Sequence, residues 1–212
     1  MKIKKIGHCC LVIEENHRRI MTDPGSWTVE KHSDEKNIDL IIITHEHGDH
    51  IHIESLKKII ENNPNIKIIT NKGVGKLLDE VNIKYEILDD KKPTDFFGVE
   101  IEAHNCKHEE IYQDIGQVEN TGFFVGGRLF YPGDSFYNPG KQVEILALPV
   151  AGPWTNVKNA VNYALEIKPK ICFPVHDGML ISFGANHNIV SLALEKEGIA
   201  FKNFEINKEK KF

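Results

Sequence analysis

The run Leu40-Ile41-Ile42-Ile43 carries no polar side chain on either face, and it stops abruptly at Thr44-His45-Glu46-His47-Gly48-Asp49-His50. A strand wetted on one side alternates apolar and polar residues, whereas a strand apolar at every position needs cover on both sides. Residues 146–150 and 171–175 repeat the pattern. Apolar side chains recur at helical spacing in Leu56, Ile59 and Ile60, in Val74, Leu77, Leu78 and Val81, and in Val157, Ala160, Val161, Ala164 and Leu165. Asn62-Asn63-Pro64 closes the first of these helices and Pro169 the last, and residues 189–194 supply one more. Residues 3–6, 9–13, 18–21, 66–69, 85–88, 99–103, 122–125, 129–131 and 201–206 read as further strands. Buried strands alternating with amphipathic helices predict an α/β fold, as one domain over residues 1–212 with no repeat or low-complexity linker.

Composition narrows the partners. With 26 Lys and Arg against 31 Asp and Glu, the formal net charge is −5, the wrong sign for a nucleic-acid footprint or an anionic membrane surface. The basic end, Lys208 to Lys211, reads as a frayed solvated tail. The apolar stretch after Lys2, Lys4 and Lys5 stops at Glu14 and Glu15, so neither an export signal nor a membrane span is expected. Cys9, Cys10, Cys106 and Cys172 form no spaced framework, and Cys9 and Cys10 point to opposite faces of a strand. Reduced thiols, a cytoplasmic location and a small-molecule substrate are the expectations, with self-association left open.

The cluster after residue 43 carries the chemistry. His45, His47, Asp49 and His50 place four metal-ligating side chains within six residues. Imidazole nitrogen and carboxylate oxygen suit zinc, manganese or iron. Alternate residues leaving a strand share a side, so His45 and His47 can grip one ion. Asp49 and His50 lie where the chain turns into a helix and can reach a second, with Gly48 expected to free the backbone for that turn. Leaving four such side chains beside an apolar strand without a metal or paired charges would be costly.

Preceded by Asp23-Pro24-Gly25, this cluster resembles the signature of the metallo-β-lactamase superfamily, and the resemblance runs over nearly the whole chain. It implies a four-layer αβ/βα sandwich with two metals where the inner sheets meet. It also implies three ligands further on. Ala103-His104-Asn105-Cys106-Lys107-His108-Glu109 offers two histidines for the first, and His108 matches the small lactonase-like members better than His104. Asp134, in Pro132-Gly133-Asp134-Ser135, resembles the aspartate that bridges both ions. His176, in Pro174-Val175-His176-Asp177, completes the set. The resemblance thus assigns His45, His47 and His108 to one ion, and Asp49, His50 and His176 to the other, with Asp134 shared. Asp23 would support the metal loop. His17, His32 and His52 read as surface residues, and His8 and His187 as side chains that can line the site.

Two divalent ions about 3.5–4 Å apart lower the pKa of a shared water from 15.7 towards about 7, producing hydroxide at neutral pH. Asp49 is placed to orient that nucleophile or accept its proton, which makes it the expected catalytic residue. The leading expectation is therefore a dinuclear metal hydrolase, zinc first and manganese or iron next, in which bridging hydroxide attacks a small ester, lactone or phosphodiester. Gly7-His8 and Asn120-Thr121-Gly122 resemble the L-ascorbate-6-phosphate lactonase-like branch. Trp154, Phe136 and Tyr137 are candidate pocket walls, and Lys141 a candidate anion contact. The alternatives are a mononuclear iron dioxygenase acting on a persulfide and a non-catalytic metal-binding protein. His47 stands where the superfamily's flavodiiron oxidoreductases place Glu, which disfavours that branch.

Overall fold

In the computed structural model, which describes residues 1–212, β1 (Lys2–Gly7), β2 (Cys10–Glu15) and β3 (Arg18–Thr22) form an antiparallel meander. Asn16 and His17 between β2 and β3 both take positive φ, 48° and 61°, as a tight hairpin turn that matches strand twist requires. After the short α1 (Val29–His32), β4 (Leu40–Ile42) and β5 (Lys67–Ile69) join β3 in parallel, connected by α2 (Ile53–Asn62). Next comes α3 (Lys72–Glu80).

The second half repeats this plan. A meander of β6 (Thr94–Phe96), β7 (Val99–Lys107), β8 (Glu119–Val125) and β9 (Leu129–Tyr131) leads to parallel β10 (Ile145–Pro149), β11 (Ile171–Val175) and β12 (Ala200–Phe201). The connections are α4 (Val157–Ile167) and α5 (Phe183–Glu195). The chain then returns to the first sheet as β13 (Glu209–Lys211), antiparallel to β1. The sheets run β13-β1-β2-β3-β4-β5 and β12-β11-β10-β9-β8-β7-β6.

Strand periodicity sorts the core into three seams. Leu40 and Ile42 face the other sheet with Ile13, Phe123, Ala147 and Phe173, whereas Ile41 and Ile43 pack with Leu56, Ile59, Val74 and Leu78 of α2 and α3. Leu146 and Leu148 of β10 likewise turn to Ala160, Ala164, Val190 and Leu194 of α4 and α5. Each buried Leu, Ile, Val or Phe among them contributes about 1.5–3 kcal/mol. Two sheets face to face, each with helices outside, make the expected αβ/βα sandwich. No helix is long and apolar enough to cross a membrane.

Four local expectations are corrected. Residues 85–88 form no strand, only an isolated bridge at Glu86. Residues 201–206 are not one strand: β12 ends at Phe201, and the basic end is no frayed tail, since Glu209–Lys211 pairs with β1 as a charged edge strand. His32 is fully buried rather than on the surface. Its Nδ1 lies 2.8 Å from the Thr28 hydroxyl and its Nε2 2.8 Å from the Ser55 hydroxyl, a pair of contacts that neighbouring residues in sequence do not reveal.

Candidate metal centre

The parallel strands of both sheets point their C-terminal ends at one rim, where ligand sites of α/β folds gather. Asp23 follows β3, Thr44 and His45 follow β4, His108 follows β7, Asp134 follows β9 and His176 follows β11. The turn carrying Asp49 fits because residue 25 is glycine: a Cβ there would sit 1.7 Å from the Asp49 carbonyl oxygen. Gly133 serves the Asp134 turn, with φ +64° and Asn120 Oδ1 only 2.4 Å from where a Cβ would be. Gly48, by contrast, has open space and no positive φ, so the turn does not draw on the backbone freedom expected of it; what the turn needs is the room left at Gly25, whose own φ is an ordinary −86°.

All seven expected ligands meet here. Asp134 Oδ2 lies 2.8 Å from His176 Nε2, 3.3 Å from His108 Nε2 and 3.8 Å from His45 Nε2, while its Oδ1 lies 3.2 Å from His50 Nε2. His45 Nε2 and His47 Nδ1 are 3.1 Å apart, and the His47 and His108 rings 4.7 Å. Asp49 Oδ2 is 3.6 Å from His176 Nε2 and 3.9 Å from His50 Nε2. Zinc–nitrogen bonds of about 2.0–2.1 Å in a tetrahedron place ligand atoms about 3.3 Å apart, so these spacings suit ions held between the side chains.

The hydrogen bonds behind the cluster decide which ring nitrogens are free. His108 Nδ1 donates to the Glu109 carbonyl at 2.6 Å, and His176 Nδ1 to the Ala151 carbonyl at 2.6 Å. His50 Nδ1 donates to Asp23 Oδ2 at 2.8 Å. Each of these leaves Nε2 as the inward atom, the arrangement that metal-bound imidazoles use. His50 Nε2, His108 Nε2, His176 Nε2 and Asp134 Oδ1 are all buried and have no hydrogen-bond partner. Buried polar atoms rarely go unpaired, and four converging on one point fit a cation.

Electrostatics agree with that fit. Burial holds His45 well below its ordinary value and lowers His47, so both present neutral lone pairs. Burial works against the charge on Asp134, yet the neighbouring His50 and His176 keep its carboxyl well below the usual range. Burial also opposes charge on His50, but Asp134, Cys9 and Asp23 outweigh it and raise this histidine well above its ordinary value.

Asp23 is the keystone beneath the cluster. It accepts from Thr44 N–H at 2.8 Å, the Thr44 hydroxyl at 2.8 Å and the Tyr131 hydroxyl at 2.5 Å, besides holding His50. Trp154 does more than wall a pocket, since its indole N–H donates to Asp134 Oδ2 at 3.0 Å. Phe136 packs against it, with ring centroids 5.4 Å apart. Tyr131, Thr44 and the bonding role of Trp154 escape a reading of the sequence; a tyrosine ending an otherwise apolar strand is the one local hint.

The remaining candidates lie elsewhere. His104 sits on the outer face of β7 against Glu102, Phe124 and Tyr137, away from the cluster. Lys141 is paired with Glu102 at 2.5 Å, so it faces no ligand of the site. His187 lies 3.2 Å from Asp177 and does not join the cluster. His8 does reach it, through Asp49 at 3.1 Å.

Comparison with known proteins agrees with this architecture. A family described as "Beta-lactamase superfamily domain" matches residues 2–176. Protein Rv0786c of Mycobacterium tuberculosis is 30% identical over 187 residues, covering 85% of each chain. The UPF0173 metal-dependent hydrolase of Pyrococcus abyssi is 28% identical over 201 residues, covering 83% of this chain and 84% of its own. Among solved structures, the metallo hydrolase Igni18 of Ignicoccus hospitalis superposes with a TM-score of 0.78 over 100% of this chain and 98% of its own, at 18% identity. With buried donors gathered at the rim of two facing sheets and a family match spanning most of its length, the chain belongs to the metallo-β-lactamase-fold superfamily of metal-dependent hydrolases.

Proposed function

We propose that the protein is a two-metal hydrolase acting on a small ester, lactone or phosphodiester. The observation that carries this reading is the convergence of four unpartnered buried atoms, His50 Nε2, His108 Nε2, His176 Nε2 and Asp134 Oδ1. His45, His47 and His108 would hold one ion, and Asp49, His50 and His176 the other, with Asp134 between them. Five imidazoles and two carboxylates suit zinc first, and manganese or iron next. Two bound ions would lower the pKa of water towards about 7 and polarise the bond to be cleaved.

The side chains supply the rest. Asp49 is the most exposed of the three site carboxylates, Asp23, Asp49 and Asp134, and is held ionised: burial opposes this, but the hydrogen bond from His8 and the proximity of His50 lower its carboxyl. Kept ionised, it can accept a hydrogen bond from the attacking water and orient it. The Trp154 indole N–H fixes the orientation of Asp134 and closes off one side with an apolar face. Half-exposed Trp27, packed against His8, and Ile111, which approaches Gly116 from beside His47, add apolar surface next to the cluster. Lys141 is committed to Glu102 and so is no anion contact for a substrate at this site. The four free cysteines suit a reducing cytoplasm.

A panel of p-nitrophenyl esters, lactones and bis-p-nitrophenyl phosphate, run with zinc-, manganese- and iron-loaded protein, tests this. Turnover that is lost with a chelator and restored by metal is expected. Bound metal without turnover on any substrate would contradict it, and oxygen uptake with a persulfide would move the chemistry to oxidation.

A further inference from the structure

His8 belongs to none of the expected ligand positions, yet it touches both loops that would hold the second ion. It lies just past β1 at φ 46°, a left-handed conformation uncommon for a non-glycine residue and one that marks a position held by its surroundings. His176, at φ 55°, shares that conformation, and its backbone N–H donates to the His8 carbonyl at 3.3 Å. Two residues on, the Gly178 N–H donates to His8 Nδ1 at 3.1 Å. A backbone N–H can only donate, so Nδ1 is the accepting nitrogen and the ring proton of the neutral imidazole sits on Nε2. Nε2 faces Asp49 Oδ2 at 3.1 Å and donates to it. The ring packs against Trp27, with centroids 4.4 Å apart, and against His176 at 4.2 Å.

We propose that His8 is a positioning residue for the second ion, fixing Asp49 and the His176 turn relative to each other through one donated and two accepted hydrogen bonds. Asp49 is the most exposed of the site carboxylates, and apart from His8 its recorded polar neighbours are His50 and His176, the two other ligands of the same ion. Without His8, nothing outside that ion's own ligand set would hold its carboxylate in register with His176. The inference rests on the two-metal reading and assigns His8 no contact with either ion.

The two side-chain bonds of His8 can be separated by substitution. Glutamine places an amide N–H near the position of Nε2 and can still reach Asp49, whereas asparagine places its oxygen near Nδ1 and can still accept from Gly178 but falls short of Asp49. Zinc titrated into metal-free protein against a chromophoric chelator reads each ion's affinity without turnover, and thermal melts report whether each variant folds. For His8→Ala, one of the two zinc affinities is expected to fall about 10–100-fold, the usual cost of removing a partner of a metal ligand, with the other unchanged. His8→Gln should return to within a few-fold of the wild type, and His8→Asn should stay close to His8→Ala. Wild-type affinities in His8→Ala, an equal loss at both ions, or rescue by asparagine but not glutamine would overturn the assignment alone. A wild-type protein that takes up a single zinc ion would overturn the two-metal reading and the assignment with it.

Discussion

His32 and His176 are buried to the same degree, yet their surroundings differ in one respect. Both ring nitrogens of His32 find a hydroxyl at 2.8 Å, on Thr28 and on Ser55, so the residue is complete within the protein and pins α1 to α2. His176 has one nitrogen fixed by the Ala151 carbonyl and the other left without a hydrogen bond, 2.8 Å from the carboxylate of Asp134. His50 and His108 repeat the second pattern. Burial alone therefore does not distinguish a structural histidine from a ligand. The distinction between these two is whether the second nitrogen is spent, and for a ligand also where it points: His104 and His187 likewise keep buried ring nitrogens without a hydrogen bond, but these face Glu102 and Asp177 alone and not a converging set.

That contrast breaks most sharply at Asp134. Asp134→Ala removes the carboxylate common to His45, His50, His108 and His176, and is expected to deplete bound metal and lower hydrolysis by at least about 100-fold, beyond the cost of losing an outer partner. Retained activity would place the chemistry elsewhere.

The next test sets two histidines of one strand end against each other. His108→Ala should deplete metal, whereas His104→Ala, changed on the outer face of the sheet, should keep wild-type metal content as read by atomic emission. Depletion by His104→Ala alone would reverse the assignment.

The smallest effect belongs to His32, and it concerns stability rather than metal. Burial pushes His32 down to about 4, with His52 adding to the shift. The unfolded chain, with an ordinary histidine near about 6.5, then binds the proton more tightly than the folded one. The contribution of neutral His32 is fully present above about pH 6.5 and is lost as pH falls towards about 4, by up to ~3 kcal/mol. In His32→Gln, denaturant midpoints should depend less on pH over that window than in the wild type, with metal content unchanged. An unchanged pH dependence would mean that the buried imidazole takes up its proton without penalty.

Much of this was legible in the sequence because two kinds of signal are local. Strands apolar on both faces, such as β4, β10 and β11, announce their two-sided cover. Histidines at the end of such a strand announce a rim site. What was not legible depends on partners distant in sequence. Glu209–Lys211 looks solvated by composition, but it becomes a strand because β1 offers an edge and Phe212 packs against Phe173 and Phe204. Residues 85–88 have strand-like side chains but only an isolated bridge to hold them. At the site, the tie from Tyr131 to Asp23 spans 108 residues, and that from His8 to Gly178 spans 170. No spacing rule reaches that far. His32 fails for the same reason, since its neighbours Lys31 and Ser33 suggest surface while Ser55 makes it core.

Metal stoichiometry tests the central claim most directly. Protein purified without added ions, stripped with chelator and reconstituted with zinc should hold about two ions per chain, falling to one or none in Asp134→Ala. Fewer than one tightly bound transition metal per chain, before or after reconstitution, would contradict a two-metal centre at the rim.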